Sequence, residues 1–136
     1  MNVSFSRRDD LLMEDYPKVG SPVENFLGRW HNTNPATGQI VELEITQVND
    51  TFYLQAYGAG KSVGEKIDWG KVECEIFSSN IHSRIVEGLT ANYDMEYMNT
   101  RIASNLKYGI LVIQTYNTFR DGSERSNYFT REFFHQ

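Results

Sequence analysis

The stretch Leu89-Thr90-Ala91-Asn92-Tyr93-Asp94-Met95-Glu96-Tyr97 alternates apolar and polar side chains at every step. A period of two is the pleat of a strand, whose successive side chains leave opposite faces. Leu89, Ala91, Tyr93, Met95 and Tyr97 are therefore expected on a buried face, with Thr90, Asn92, Asp94 and Glu96 in water. The pattern recurs upstream. Val41, Leu43 and Ile45 alternate with Glu42, Glu44 and Thr46, while Val72, Cys74 and Ile76 alternate with Lys71, Glu73 and Glu75. By this parity Cys74 is a core residue. Further strands are read at 26–32, 51–57, 98–106, 108–119 and 127–134, which brings the count to eight.

Turn chemistry separates these segments: Asn34-Pro35-Ala36-Thr37-Gly38, Asn49-Asp50, residues 58–64, Lys107-Tyr108-Gly109 and Asp121-Gly122-Ser123. Short turns join antiparallel neighbours, so order in sequence is expected to be order in space. No long helix interrupts the series to serve as a parallel crossover. Closing eight meandering strands removes the exposed edges of an open sheet, and eight is the size whose interior is either filled by side chains or holds one small ligand. The expected fold is all-β, an eight-stranded antiparallel up-and-down barrel over 26–136 with an N-terminal extension over 1–25. Within that extension residues 8–16 read as a short amphipathic helix carrying Leu11, Leu12 and Tyr16, ended by Pro17, Gly20 and Pro22.

The chain has 136 residues, 40% of them apolar and 23% charged, with a net charge of −5. That length and balance fit one globular domain with its own core. The acidic balance leaves no basic field for a phosphate backbone, so nucleic acid is not an expected partner. Cys74 is the single cysteine, which excludes an intramolecular disulfide and a thiolate metal cluster. No secretion signal is read at the N-terminus and no apolar run is long enough to span a bilayer, so no membrane partner is expected and the expected location is cytoplasmic.

Several motifs that carry chemistry elsewhere are incomplete here. Gly58-Ala59-Gly60-Lys61-Ser62 ends like a phosphate loop, but the pattern needs Gly where Gln55 stands and no helix follows. His31, His82 and His135 lack the paired spacing of a metal site. No Gly-x-Ser-x-Gly elbow is present, and no nucleophile has an evident activating partner. Neither a metal nor a cofactor is expected, and no catalytic residue is assigned.

The first strand reads Phe26-Leu27-Gly28-Arg29-Trp30-His31-Asn32. Gly-x-Trp at the start of a meander resembles the opening of the calycin barrels, the lipocalins and avidins, and the Asn two residues after Trp is similar to avidins in particular. The resemblance implies that Trp30 plugs the narrow end of the barrel and that an Arg of the last strand, here Arg131, packs across it. A longer resemblance covers about 26–134 through Gly28-x-Trp30-x-Asn32-x-Asn34-Pro35, Ala56-Tyr57-Gly58, Asp68-Trp69-Gly70 and Phe119-x-Asp121-x-Ser123-x-Arg125-Ser126-x-Tyr128. It is to a group of bacterial β-rich proteins. That group often carries two cysteines in the loop before Asp-Trp-Gly, where this chain has Gly60-Lys61-Ser62-Val63-Gly64-Glu65-Lys66, so no thiol role carries over.

The expected lining of the interior mixes rings and polar groups: Trp30, Asn32, Tyr93 and Tyr97, with either Thr115 and Asn117 or Gln114 and Tyr116. Asp68 shares the parity of Val72 and is expected at the interior rim. Trp69 is read as a ligand platform at the mouth, a subunit contact or simple corner packing. Such a lining suits a small hydrophobic or amphipathic molecule, with Asn32 orienting it, and the leading expectation is a carrier or sensor. An alternative is an isomerase or cyclase in which Asp68, Tyr93 or Tyr97 moves a proton. A third reading is a filled barrel that binds protein. The strand over 110–119 is apolar on both faces, so one face must leave the interior and a homodimer is expected there.

Overall fold

A computed structural model describes residues 25–136; the N-terminal extension expected over 1–25, helix included, lies almost wholly outside the described residues. Eight strands follow in chain order: β1 (Gly28–Asn32), β2 (Ile40–Val48), β3 (Thr51–Ala59), β4 (Lys66–Phe77), β5 (Gly88–Asp94), β6 (Met98–Lys107), β7 (Ile110–Phe119) and β8 (Tyr128–His135). Each pairs antiparallel with the next, and β8 returns to β1 through His31 opposite His135 and Asn32 opposite Phe134. The sheet closes into a barrel. The β6–β7 hairpin turns on Tyr108 and Gly109, both at positive φ (53° and 78°), the conformation whose twist matches the flanking strands.

Alternation places one side chain of every pair inside. Leu43 and Ile45 of β2, Phe52, Leu54 and Ala56 of β3, Leu89, Ala91 and Tyr93 of β5, and Leu111 and Ile113 of β7 form one buried cluster with Trp30, Cys74 and Phe134. On β7 the inward polar residues are Thr115 and Asn117, so Gln114 and Tyr116 face outward. Among the described residues no helix is long and apolar enough to cross a membrane.

Two irregularities change the parity read from sequence. Gln55 faces Lys71 while Tyr57 faces Asp68, so Ala56 opposes both Trp69 and Gly70. This bulge sits on Gly70 at φ +86°, a conformation open to glycine at little cost. It inverts the pleat. Trp69 turns toward the core, and Asp68, expected at the interior rim, is exposed on the outer wall. The second irregularity lies between Ile40 and Glu42 and sends Ile40 into the core in place of Val41, which is half-buried. Tyr97 also departs from expectation. β5 stops at Asp94, and Tyr97 belongs to the turn into β6, where it is exposed.

Candidate functional site

The interior is a packed core. Side chains that line a hollow wide enough for a ligand are reachable by water, yet Leu43, Leu54, Ala56, Thr100, Ile102 and Leu111 are 0% exposed. A void lined by Ile40, Ile113, Thr115, Thr130, Glu132 and Phe134 measures about 10 Å³, room for about one water molecule.

The inward polar groups are satisfied within the wall. The Thr100 hydroxyl donates to Asn117 Oδ1 at 2.7 Å, and Asn117 Nδ2 donates to Thr115 Oγ1 at 3.0 Å. Thr115 in turn is bonded to Thr130. Asn32 closes the β1–β2 connection: its Nδ2 donates to the Ile40 carbonyl at 2.9 Å and its Oδ1 accepts from the Asn34 amide at 2.8 Å. Both ends of that amide are engaged by the loop's own backbone.

Tyr93 serves the bulge. Its hydroxyl donates to the Gly70 carbonyl at 2.7 Å and accepts from the Ala56 amide at 2.9 Å, two groups that the bulge leaves outside the β3–β4 ladder. Burial pushes the hydroxyl up to about 12, so it stays protonated and remains a donor. The Trp69 ring meets Tyr93 edge on, with centroids 5.4 Å apart, and lies over Gly58 so closely that a Cβ there would fall 2.6 Å from its Nε1. Burial raises the Cys74 thiol to about 12 as well, with Glu73 adding to the effect, and the sulfur is not a thiolate at neutral pH.

Trp30 is 1% exposed and donates its indole N–H to the Phe26 carbonyl at 3.0 Å. Arg131 does not reach it. Arg131 is three positions from the inward Phe134, an odd step on a pleated strand, so the guanidinium stands on the outer wall, 5.4 Å from the Phe133 ring centroid. Of the expected site residues, the interior brings together Trp30, Trp69 and Tyr93. Asn32 is buried in its own loop, Asp68, Tyr116 and Arg131 are exposed on the outer wall, and Tyr97 lies in a turn. Asp68, Tyr93 and Tyr97, the proton-moving set of the enzyme reading, do not open onto one space.

Two clusters on the outer wall are not evident from sequence. The first is centred on Glu42, whose side chain is 7% exposed although it faces outward. Arg29 pairs with its Oε2, while Lys66 Nζ at 3.0 Å and His31 Nδ1 at 3.3 Å approach its Oε1. Burial pushes this carboxyl up, but the hydrogen bonds and charges of Lys66 and Arg29 outweigh it and hold the group below its ordinary 4.5. A depressed native pKa gives stability that is present above about pH 4.5 and lost as the pH falls through the lower native value. Glu42→Gln is expected to flatten that acid limb in melting curves taken at stepwise lower pH, and to melt below the wild type at neutral pH. An unchanged acid limb in the variant would refute the assignment.

The second cluster spans β5 to β8. Register sets Asn92 opposite Arg101, Arg101 opposite Tyr116 and Tyr116 opposite Phe129 in one row, with Asn99 and Thr118 paired in the next. Tyr116 and Phe129 are 46% and 65% exposed, and their rings are stacked with centroids 6.2 Å apart and planes 23° from parallel. Asn99, Arg101 and Thr118 form the shared floor of two open recesses of about 820 and 420 Å³. The larger ends at Glu73 and Glu75 of β4, the smaller at Tyr116. Sequence parity could have put each residue on the outer face, but only the register joins them. No family model, curated protein or solved structure matches the chain.

Proposed function

We propose that this protein is a binding module that recognises its ligand on the outer wall of a filled barrel. The carrying observation is where the aromatic groups are spent. The inward rings of Trp30 and Tyr93 are buried and hydrogen-bonded to backbone, whereas Tyr116 and Phe129 stand paired in the open beside polar groups. Large exposed apolar groups arranged together mark recognition surfaces in proteins of this size. Among the readings drawn from sequence, this favours the filled barrel that acts by interaction over the carrier with a hollow and over the isomerase. Glu44, Glu73, Lys71 and Arg101 on the outer strand faces, in place of a lipid-facing apolar band, support a wall bathed in water. The Gly28-x-Trp30 opening with Trp30 buried supports kinship with the calycin barrels.

Native mass spectrometry of protein purified from its own host tests the reading. The bare chain mass is expected. A small molecule that stays bound under native conditions and leaves only on unfolding must sit among the inward side chains, and would overturn the proposal in favour of a carrier.

A further inference from the structure

We infer that the chain's own residues 9–16, which precede the described part, dock on the outer face of β6, β7 and β8, with their apolar side chains on the exposed rings and their carboxylates on Arg101, Lys107 and Arg131. The inference goes beyond the outer-wall reading: a ligand that uses Tyr116 and Phe129 must first displace this segment.

The face is apolar and cationic at once. Ile110, Tyr116, Phe129 and Phe133 stand exposed on it, and Arg101, Lys107 and Arg131 share its outward parity. Among the described residues none of these three cations has an ion pair. The one carboxylate of the three strands, Glu132, has inward parity and accepts from the Thr37 hydroxyl at 2.8 Å. The outer face is thus free of acid in a chain whose net charge is −5. Its complement is a cover that is both apolar and acidic.

Residues 9–16 have that composition. They read Asp9-Asp10-Leu11-Leu12-Met13-Glu14-Asp15-Tyr16, with apolar side chains at the centre, carboxylates on both sides and no cation. The segment is also tied close to the face. Gln136 Nε2 donates to the Leu27 carbonyl at 2.9 Å, so the described chain starts beside the end of β8. From Gln136 back to Arg131 is about 17 Å along the strand. Fully extended, residues 17–24 span about 27 Å, so they carry the segment there with length to spare. A single stretch of chain follows the convex wall of a barrel and needs no recess in it.

Charge decides against a second copy as the occupant. A two-fold contact sets a face against itself, and here that would bring the same three cations together with no carboxylate between them. A free anionic polymer would meet only three scattered cations. The tethered segment meets them at a millimolar effective concentration.

Disulfide trapping in the full chain tests the inference. Leu12→Cys is combined either with Tyr116→Cys on β7 or with Tyr53→Cys on the outer face of β3, and both double variants are treated with oxidised glutathione; Cys74 is buried. β7 and β3 each lie two strands from β1, on opposite sides. Tyr53 opposes Thr46, next to the Ile45 that faces Gly28, so it is level with Leu27 and reach alone favours it. Its other neighbour is Glu73. The Tyr116 pair is nevertheless expected to close about tenfold faster, and Asp9→Asn with Asp10→Asn, Glu14→Gln and Asp15→Asn is expected to abolish the difference. Equal rates for the two pairs would overturn the inference, and so would a preference untouched by neutralising the segment. Disulfides that join two chains would overturn it too, in favour of a second copy. The native mass spectrum reads the interior and is blind to where residues 9–16 lie, so the outer-wall reading and this inference fail separately.

Discussion

Trp30→Ala is expected to lower stability by about 3–5 kcal/mol, the cost of truncating a large buried aromatic residue. Trp30 is 1% exposed in β1, part of the core cluster that includes Leu43, Ile45 and Phe134, and its N–H satisfies the Phe26 carbonyl. Truncation removes the apolar contact, leaves a void and strips that carbonyl of its donor. At about 4 °C per kcal/mol for a chain of this size, the melting temperature should fall by about 12–20 °C. Against a total of about 5–15 kcal/mol this is a large share of what holds the barrel closed. The wild-type interior is full, so the ligand-sized hollow is created only by the substitution. Added indole should therefore raise the melting temperature of the variant and leave that of the wild type unchanged, as engineered apolar cavities take up apolar guests. A loss below about 1 kcal/mol, or equal stabilisation of both proteins by indole, would mean that Trp30 borders a pre-existing cavity.

The architecture was legible because a closed meander repeats one rule, alternation of faces, eight times over with turn residues between. β6, β7 and β8 begin and end within two residues of the segments read from sequence. Parity fails where an extra residue enters one strand and not its partner. Counting by twos from Val72 puts Asp68 inside and Trp69 outside with Lys71 and Glu73, and the bulge at Gly70 exchanges those two faces. A glycine inside an alternating run was the available sign of it. Arg131 was misplaced for a different reason: it was assigned to Trp30 by likeness to lipocalins, whereas counting from Phe134 puts it outside. Whether the barrel is hollow was not legible at all. That depends on how side chains from eight strands fill one volume, and composition is the same for a lined pocket and a filled core. The outer-wall row was hidden likewise, because Asn92, Arg101, Tyr116 and Phe129 lie far apart in sequence and are aligned only through the register of four strands.

Tyr93→Phe tests the other consequence of the bulge. The substitution keeps the ring, its edge-on packing against Trp69 and nearly all of its volume, and removes one oxygen. That oxygen is the partner of the Ala56 N–H and the Gly70 carbonyl, both freed from the ladder where two residues of β4 face one of β3. A buried backbone group without a partner costs about 1–3 kcal/mol, so the melting temperature should fall by about 4–12 °C. The matching change at the exposed Tyr116 should stay within about 0.5 kcal/mol of wild type. Two further readouts separate lost hydrogen bonds from altered packing. The Ala56 amide should exchange with solvent about tenfold faster in the variant for each 1.4 kcal/mol lost locally. At high pH, burial raises the Tyr93 hydroxyl from an ordinary 10.0 to about 12 in the folded chain, so the unfolded state gives up its proton first. Stability from this group is complete below about pH 10 and disappears as the pH climbs toward 12, a decline that the phenylalanine variant should not share. If both proteins lose stability equally over that range, the Tyr93 oxygen is hydrated in the native state and the bulge is held by something else.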